Sequence, residues 1–405
     1  MKIKVLHVIK SLGRGGAEML LPETLKLHDQ DNFEFHYIYF LPWKNQMVSA
    51  LESQGAKVTC LRSKNNIELL FQFFKLIKYC RKNNINLMHA HLPWAGLLAR
   101  FIYIFFKIPL IYTEHNKQER YHKLTFWLNR LTFNWQTKVI AVSGDVASSI
   151  KNNIRPQIPI QIVLNGVNTV TYRRKSLENI LQSIDDGHIK ENADSFNDGS
   201  QNANNLHFDD GINVLKTIGD KKRSDAQAMV VGTVAVFRFQ KRLIEWVDVF
   251  QTAAKKNQGL IGVIVGNGPF AEQLIEHRNK SGLKGRLFFP GLQTNTKDWF
   301  SIMDIFMMTS EFEGLPVALL EAMSMKCAIA TTNAGGIKEV ITEGETGLMV
   351  NVEDWNNLTD KLNLLADDNL RNRLSINARA HVETNFSLIG MVKSLEKVYR
   401  NHAKL

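Results

Sequence analysis

The chain has 405 residues, 44% of them hydrophobic and 9% aromatic, which is too long for one ordinary core and suits a globular protein of two domains. Its three cysteines, Cys60, Cys80 and Cys327, offer neither a disulfide framework nor a metal-ligand spacing, so a reducing compartment is predicted. The formal net charge of +11 is unevenly placed: residues 1–170 carry 22 Lys and Arg against 10 Asp and Glu, a net of +12, and the remainder carries 28 against 29. A basic first half predicts a negatively charged partner, an anionic membrane surface or a phosphate-linked acceptor, and the lack of a reading motif argues against nucleic acid.

Short apolar runs alternate with longer amphipathic ones, as in parallel sheets flanked by helices. In the first half the predicted strands are Val5–Ile9, Phe33–Phe40, Lys57–Leu61, Leu87–His91, Leu110–His115, Val139–Ser143 and Ile160–Leu164. The start, MKIKVLHVIKSLGRGG, has a short apolar run that ends in glycines instead of a cleavage site, so it does not read as a signal peptide. The first strand runs into Gly13-Arg14-Gly15-Gly16-Ala17-Glu18. Gly15 and Gly16 open a helix there and can admit a phosphate or sugar to backbone N–H groups. The pattern is not GxGxxG, and no acidic residue ends the second strand at Phe40, which argues against a nicotinamide cofactor.

Helices are predicted over 67–83 and 119–136. Aromatic and basic residues interleave at 69–81, where Phe71, Phe74, Lys75 and Lys78 share a broad face, and again around Phe126, Trp127, Arg130 and Trp135. Such aromatics either pack on the sheet or meet an anionic membrane. The run from Phe101 to Tyr112 is broken by Lys107 and Pro109 and is shorter than the roughly 20 residues a bilayer requires. A cytoplasmic protein, peripheral at the inner membrane face, is therefore expected. His89, His91 and His115 end two strands. His89 falls in step with the apolar positions and is predicted to be buried. No spacing places two histidines on one helical face, so no zinc site is predicted. Asn165-Gly166 reads as a tight turn at the domain connection. Residues 175–228, rich in Asn, Asp, Ser and Gly, predict a mobile surface excursion.

The second half repeats the rhythm, with strands Met229–Phe237, Leu260–Val265, Arg286–Phe289, Ile305–Thr309, Cys327–Thr332 and Leu348–Val350. Val265-Gly266-Asn267-Gly268-Pro269 is another strand–glycine–helix junction. The stretch 309–340, TSEFEGLPVALLEAMSMKCAIATTNAGGIKEV, carries most of the chemistry. Gly314-Leu315-Pro316 leads into an apolar helix, with Pro316 suited to its first turn. Glu313 precedes that helix and Glu321 lies in its second turn. Gly335-Gly336 opens another helix, so two junctions offer free N–H groups to a phosphate-bearing ligand. Paired carboxylates can accept hydrogen bonds from sugar hydroxyls.

The Glu-x7-Glu pattern in EGLPVALLEAM, followed by AGGIKEVI and the glycine of GETGLMV, resembles retaining glycosyltransferases of family 4, the large GT-B-fold group 1 family. GGAE after the first strand and TEH after the fifth resemble it too, and the likeness covers nearly the whole chain outside 175–228. It implies an α/β fold of two doubly wound Rossmann-like domains facing each other across a cleft: an acceptor-side domain over 1–170, a nucleotide-sugar-binding domain over 229–385, and a helix over 386–405 packing back on the first. It implies transfer of a hexose from a nucleotide-sugar donor to a glycan or lipid-linked acceptor, with retention and with no cofactor or metal. Glu313 and His115 would then be catalytic. Glu321, Lys241, Gly15, Gly16, Gly266, Asn267, Gly268, Gly314, Leu315 and Pro316 would bind the donor. The family's diphosphate-binding arginine aligns with Val236 here, leaving Arg238 or Arg242 to serve. A nucleotide-sugar 2-epimerase of the same fold and a non-catalytic nucleotide-sugar-binding protein are the alternatives.

Overall fold

The segment LIGVIV, Leu260–Val265, is buried at every position, as a parallel strand covered on both faces must be. Runs of this kind organise the computed structural model, which describes residues 2–186 and 208–404. The chain divides into two units, one of residues 1–166 with 388–405 and one of residues 167–387.

In the first unit the strands are β1 (Ile3–Val8), β2 (Phe33–Tyr39), β3 (Lys57–Cys60), β4 (Leu87–His91), β5 (Leu110–Glu114), β6 (Lys138–Ala141) and β7 (Ile160–Ile162). They form one parallel sheet in the order β3-β2-β1-β4-β5-β6-β7. Strands are added outward from β1 on one side and from β4 on the other, so the switch point where α/β sheets bind ligands lies between these two. The helix Leu388–His402 returns to this unit and buries Leu395, Val398 and Tyr399 among Val5, Phe35 and Tyr37. Its Glu396 accepts a hydrogen bond from the Asp29 N–H at 2.8 Å and meets His28 Nδ1 at 3.1 Å.

In the second unit the strands are β8 (Met229–Val234), β9 (Leu260–Val265), β10 (Leu287–Phe288), β11 (Ile305–Met308), β12 (Ala328–Thr332) and β13 (Leu348–Val350). Their order is β10-β9-β8-β11-β12-β13, again parallel, with the switch point between β8 and β11. Trp246 and Phe250 stack at 5.6 Å in its core, and the Trp246 indole N–H donates to the Met307 carbonyl at 3.0 Å.

Three expectations change. The helix over 67–83 is two helices, Asn66–Phe71 and Phe73–Asn83, broken at Gln72, whose buried amide donates to the Arg62 carbonyl at 3.1 Å. The helix over 119–136 is a 3-10 turn at Gln118–Arg120 followed by Lys123–Thr132. The polar excursion over 175–228 contains two helices, Leu177–Asp185 and Gly211–Ser224, which bury Ile180, Leu181 and Ile184 and Val214, Leu215 and Ile218. Each places apolar residues at helical spacing inside a polar composition, and that spacing provides a buried stripe. Residues 187–207 lie outside the described residues.

One loop constrains the second unit. Gly266 has φ +139°, and a Cβ there would stand 1.9 Å from the Ala235 carbonyl oxygen. A Cβ on Gly268 would stand 2.5 Å from the Phe237 carbonyl oxygen. These glycines let the loop after β9 lie against the loop after β8, joined by the Phe237 N–H donating to the Asn267 carbonyl at 3.0 Å. Gly266→Ala is therefore expected to destabilise the unit by at least about 1–2 kcal/mol. Denaturant unfolding checks this; an unchanged midpoint would contradict the packing.

Candidate active site

The ends of β8, β11 and β12 converge in the second unit. After β8 the chain makes a 3-10 turn at Phe239–Lys241, and Arg242, at φ +46°, starts the helix Leu243–Lys256. The Thr309 hydroxyl at the end of β11 lies 2.7 Å from the Arg242 carbonyl and 3.0 Å from that of Lys241. The Glu311 N–H donates to the Gln240 carbonyl at 2.8 Å. These bonds hold the two loops together at the switch point, where Thr233, Val234, Lys241, Thr309 and Ser310 line a small pocket.

Lys241 and Glu313 meet there. Lys241 Nζ lies 2.5 Å from Glu313 Oε1, and the Ser310 hydroxyl donates to the same oxygen at 2.7 Å. The pair is partly exposed, at 21% and 11% of the side chains, so solvent and a ligand can both reach it. From the β12 side, Thr332 donates to the Ser310 carbonyl at 2.6 Å. Gly335, at φ +57°, packs so closely that a Cβ would stand 2.0 Å from the Glu313 carbonyl oxygen.

Gly314 and Leu315 follow, with Leu315 buried, and Pro316 is the residue that caps the helix Val317–Ser324. Glu321 sits on this helix and is 6% exposed. The two arginine candidates differ. Arg242 donates from Nη1 to the Val352 carbonyl at 2.9 Å and lies 3.9 Å from Glu311, whereas Arg238 is exposed. The glycine loop of Gly266, Asn267 and Gly268 follows β9, beside β8 in the sheet.

In the first unit Gly15 caps the helix Gly16–Leu25. The Glu18 carboxylate folds back over that helix start, accepts from the Ser11 hydroxyl at 3.0 Å, and would stand 2.3 Å from a Cβ on Gly15. A carboxylate near a helix N-terminus is favourable.

The switch point of this unit gathers four histidines. His7 on β1 and His89 on β4 are register partners, and His91 lies two residues along on the same face. His7 Nδ1 is 3.0 Å from His91 Nε2, and His91 Nδ1 is 3.2 Å from His115 Nε2. His89 contacts the Tyr399 hydroxyl at 2.7 Å and the Thr113 hydroxyl at 2.6 Å. Burial lowers all four: His89 to about 3, His115 to about 4, and His7 and His91 well below the usual imidazole range. All four are neutral at pH 7.

Helical spacing was the wrong criterion for these histidines. Strand pairing brings ring nitrogens of His7, His89 and His91 within 4.8 Å of one another, close enough for a metal ion, although both nitrogens of His89 already meet hydroxyls.

Glu114 is a second residue whose role was not legible. Fully buried, it accepts from the backbone N–H groups of His115 at 3.0 Å and Asn116 at 3.3 Å, from Gln118 at 2.6 Å, and from Tyr112 and Tyr121. Burial raises its carboxyl above the ordinary value against the pull of these donors. The result is a rigid anchor for the turn that carries His115.

Residues 14–171 match the family model described as Glycosyltransferase Family 4, and residues 216–381 match Glycosyl transferases group 1. The chain is 24% identical to a Staphylococcus aureus capsular polysaccharide biosynthesis glycosyltransferase, CapH, over 84% of this chain and 83% of that protein. It is 21% identical to an Escherichia coli UDP-Gal:alpha-D-GlcNAc-diphosphoundecaprenol alpha-1,3-galactosyltransferase, over 98% and 97% of the two chains. Among solved structures, Anabaena HepE in complex with UDP-glucose superposes with a TM-score of 0.78 at 17% identity, over 98% of this chain and 99% of that one.

Proposed function

The chain is a glycosyltransferase of the GT-B fold and group 1 family, and from that premise we propose that it transfers a hexose, with retention, from a nucleotide-sugar donor to a lipid-linked or cell-surface polysaccharide intermediate. The observation that carries this reading is the Lys241–Glu313–Ser310 cluster at the β8/β11 switch point. A departing nucleoside diphosphate needs positive charge, and Lys241 supplies it there, with exposed Arg238 on the same loop. Glu313 acts at the transferred sugar. Glu321 accepts hydrogen bonds from ribose hydroxyls, and the loop of Gly266, Asn267 and Gly268 borders the base. In the first unit, neutral His115 acts near the reacting carbon. The S. aureus and E. coli relatives carry names from capsule assembly and from transfer to a diphosphoundecaprenol-linked sugar, which supports an acceptor of that class.

Donor binding is testable first. UDP-glucose, the ligand of the HepE structure, begins a thermal-shift panel of UDP-, GDP- and ADP-sugars; a donor at 100 times its Kd adds about 2.7 kcal/mol. Glu321→Ala removes a charge-assisted contact of roughly 1.5–3 kcal/mol, so donor Kd is expected to rise about tenfold or more with the fold intact. An unchanged Kd would remove Glu321 from the donor site. Sugar transfer with the anomeric configuration kept, followed by NMR of the product, tests the reaction itself; epimerised donor and no transfer product would support the epimerase instead.

We also propose that the first unit binds anionic membrane peripherally. Among the described residues no helix is long and apolar enough to cross a membrane. Phe71, Phe74 and Phe105 are 76%, 79% and 67% exposed, so they do not pack against the sheet. Leu124, Trp127 and Leu131 are exposed along one face of the helix Lys123–Thr132 and its C-terminal end. Exposed Lys75, Lys78, Lys107, Lys123 and Arg130 lie beside them, and the Arg130 guanidinium sits 5.4 Å from the Trp127 ring. Rings that enter the interface with flanking cations contributing about 1 kcal/mol each fit this surface. Co-sedimentation with phosphatidylglycerol vesicles is expected at low salt, weakened at high salt and by Phe74→Ser with Trp127→Ser. No binding at low salt would contradict it.

A further inference from the structure

We propose that His7 and His91 form a one-way hydrogen-bonded chain with His115 that holds its proton on Nδ1, so that His115 meets its substrate as a hydrogen-bond donor. The inference deepens the reading of His115 at the reaction and makes His7 and His91 positioning residues.

Three rings are joined end to end, His7 Nδ1 to His91 Nε2 at 3.0 Å and His91 Nδ1 to His115 Nε2 at 3.2 Å. A neutral imidazole has one donor and one acceptor. Such a chain therefore has two states, with every proton pointing from His7 toward His115 or every proton pointing back. The inner end decides between them. His7 is 3% exposed, and its Nε2 is buried with no hydrogen-bond partner. Its ring stacks on Tyr37 at 4.9 Å and lies 5.9 Å from Phe35.

If the protons pointed inward, His7 Nε2 would carry a buried N–H with no acceptor. An orphaned buried N–H is among the rarest defects in folded proteins, and an under-used acceptor is more often tolerated. With the protons pointing outward, His7 Nε2 is a bare lone pair, both hydrogen bonds of the chain are made, and each polarises the next. His115 Nε2 is then an acceptor occupied by His91, and Nδ1 carries the N–H.

His89 does not compete for the chain. Both of its nitrogens meet hydroxyls, of Tyr399 and Thr113, and a hydroxyl can serve as donor or acceptor. Glu114 holds the His115 backbone N–H at 3.0 Å, which fixes where the ring begins. The histidine chain adds which nitrogen carries the proton.

The test is nitrogen NMR of the full chain with ring-labelled histidine at pH 7, the His115 signals being assigned by their loss in His115→Gln. A protonated Nδ1 with a bare Nε2 is expected. A protonated Nε2, or rapid averaging of the two tautomers, overturns the proposal. Zn2+ that shifts the His7, His89 and His91 signals at a one-to-one ratio overturns it as well, since those nitrogens would then ligate. His91→Leu is expected to lower kcat tenfold or more at unchanged donor Kd. His91→Gln, which keeps one donor and one acceptor, should recover most of that loss, and equal loss in both variants would show His91 to be filler. If His115→Gln transfers sugar at the wild-type rate, the role of His115 falls while the tautomer measurement still judges the chain. If His115→Gln is inactive and Nε2 is protonated, the chain falls alone.

Discussion

Glu313→Gln is expected to lower turnover about a hundredfold or more, the range for losing a positioned polar group at a transition state, without weakening donor binding. The amide matches the carboxylate in shape and can still accept the Ser310 hydroxyl, which now lies 2.7 Å from Oε1. What disappears is the negative charge 2.5 Å from Lys241 Nζ. Lys241 then offers its full charge to a bound diphosphate, so donor affinity should stay level or rise while kcat falls. The ion pair is partly exposed, so the effect on stability should stay within about 1 kcal/mol. Lys241→Ala should separate the other way, weakening the donor first. Steady-state kinetics with a donor-binding isotherm distinguish the two variants. Wild-type turnover in Glu313→Gln would remove this carboxylate from the chemistry.

Acidification should destabilise the first unit steeply. His89, near 3, and His115, near 4, bind protons less readily folded than unfolded, where an imidazole titrates near 6.5, and His7 and His91 are lowered in the same direction. The sign follows directly. Between pH 6.5 and 4 the unfolded chain carries the extra protons, so stability is full above 6.5 and falls as pH drops through that window. For His89 alone the loss by pH 4 is on the order of 3 kcal/mol. Glu114, raised by burial, works in the opposite sense and offsets a part. Denaturant melts from pH 8 to 4 should show the slope. His89→Gln should flatten it while lowering stability at pH 8, because the contacts to Tyr399 and Thr113 are disturbed. Identical slopes in the two proteins would show that His89 is not buried neutral.

Local chemistry was legible in the residues. All thirteen predicted strands correspond to strands among the described residues, with ends shifted by three residues or fewer, because a fully covered parallel strand is a near-continuous apolar run whatever surrounds it. Less of the helical structure could be read. Gln72 breaks a helix through a side-chain bond to Arg62, and Leu177–Asp185 and Gly211–Ser224 depend on apolar stripes that a polar average conceals.

The candidate site divides in the same way. Gly314-Leu315-Pro316, Glu313 and Glu321 belong to one short stretch, and their turn-to-helix geometry follows from local backbone preferences. The partners of that stretch do not. Lys241 stands 72 residues from Glu313, and the two meet because β8 pairs with β11 across the switch point of the sheet. His7 stands 84 residues from His91 and meets it because β1 pairs with β4. Which segments are strands, which turns carry glycine and which loop bears the carboxylates could be read from the residues alone, since each depends on neighbours along the chain. Which charges and imidazoles touch could not, since strand order in the folded sheets sets those distances.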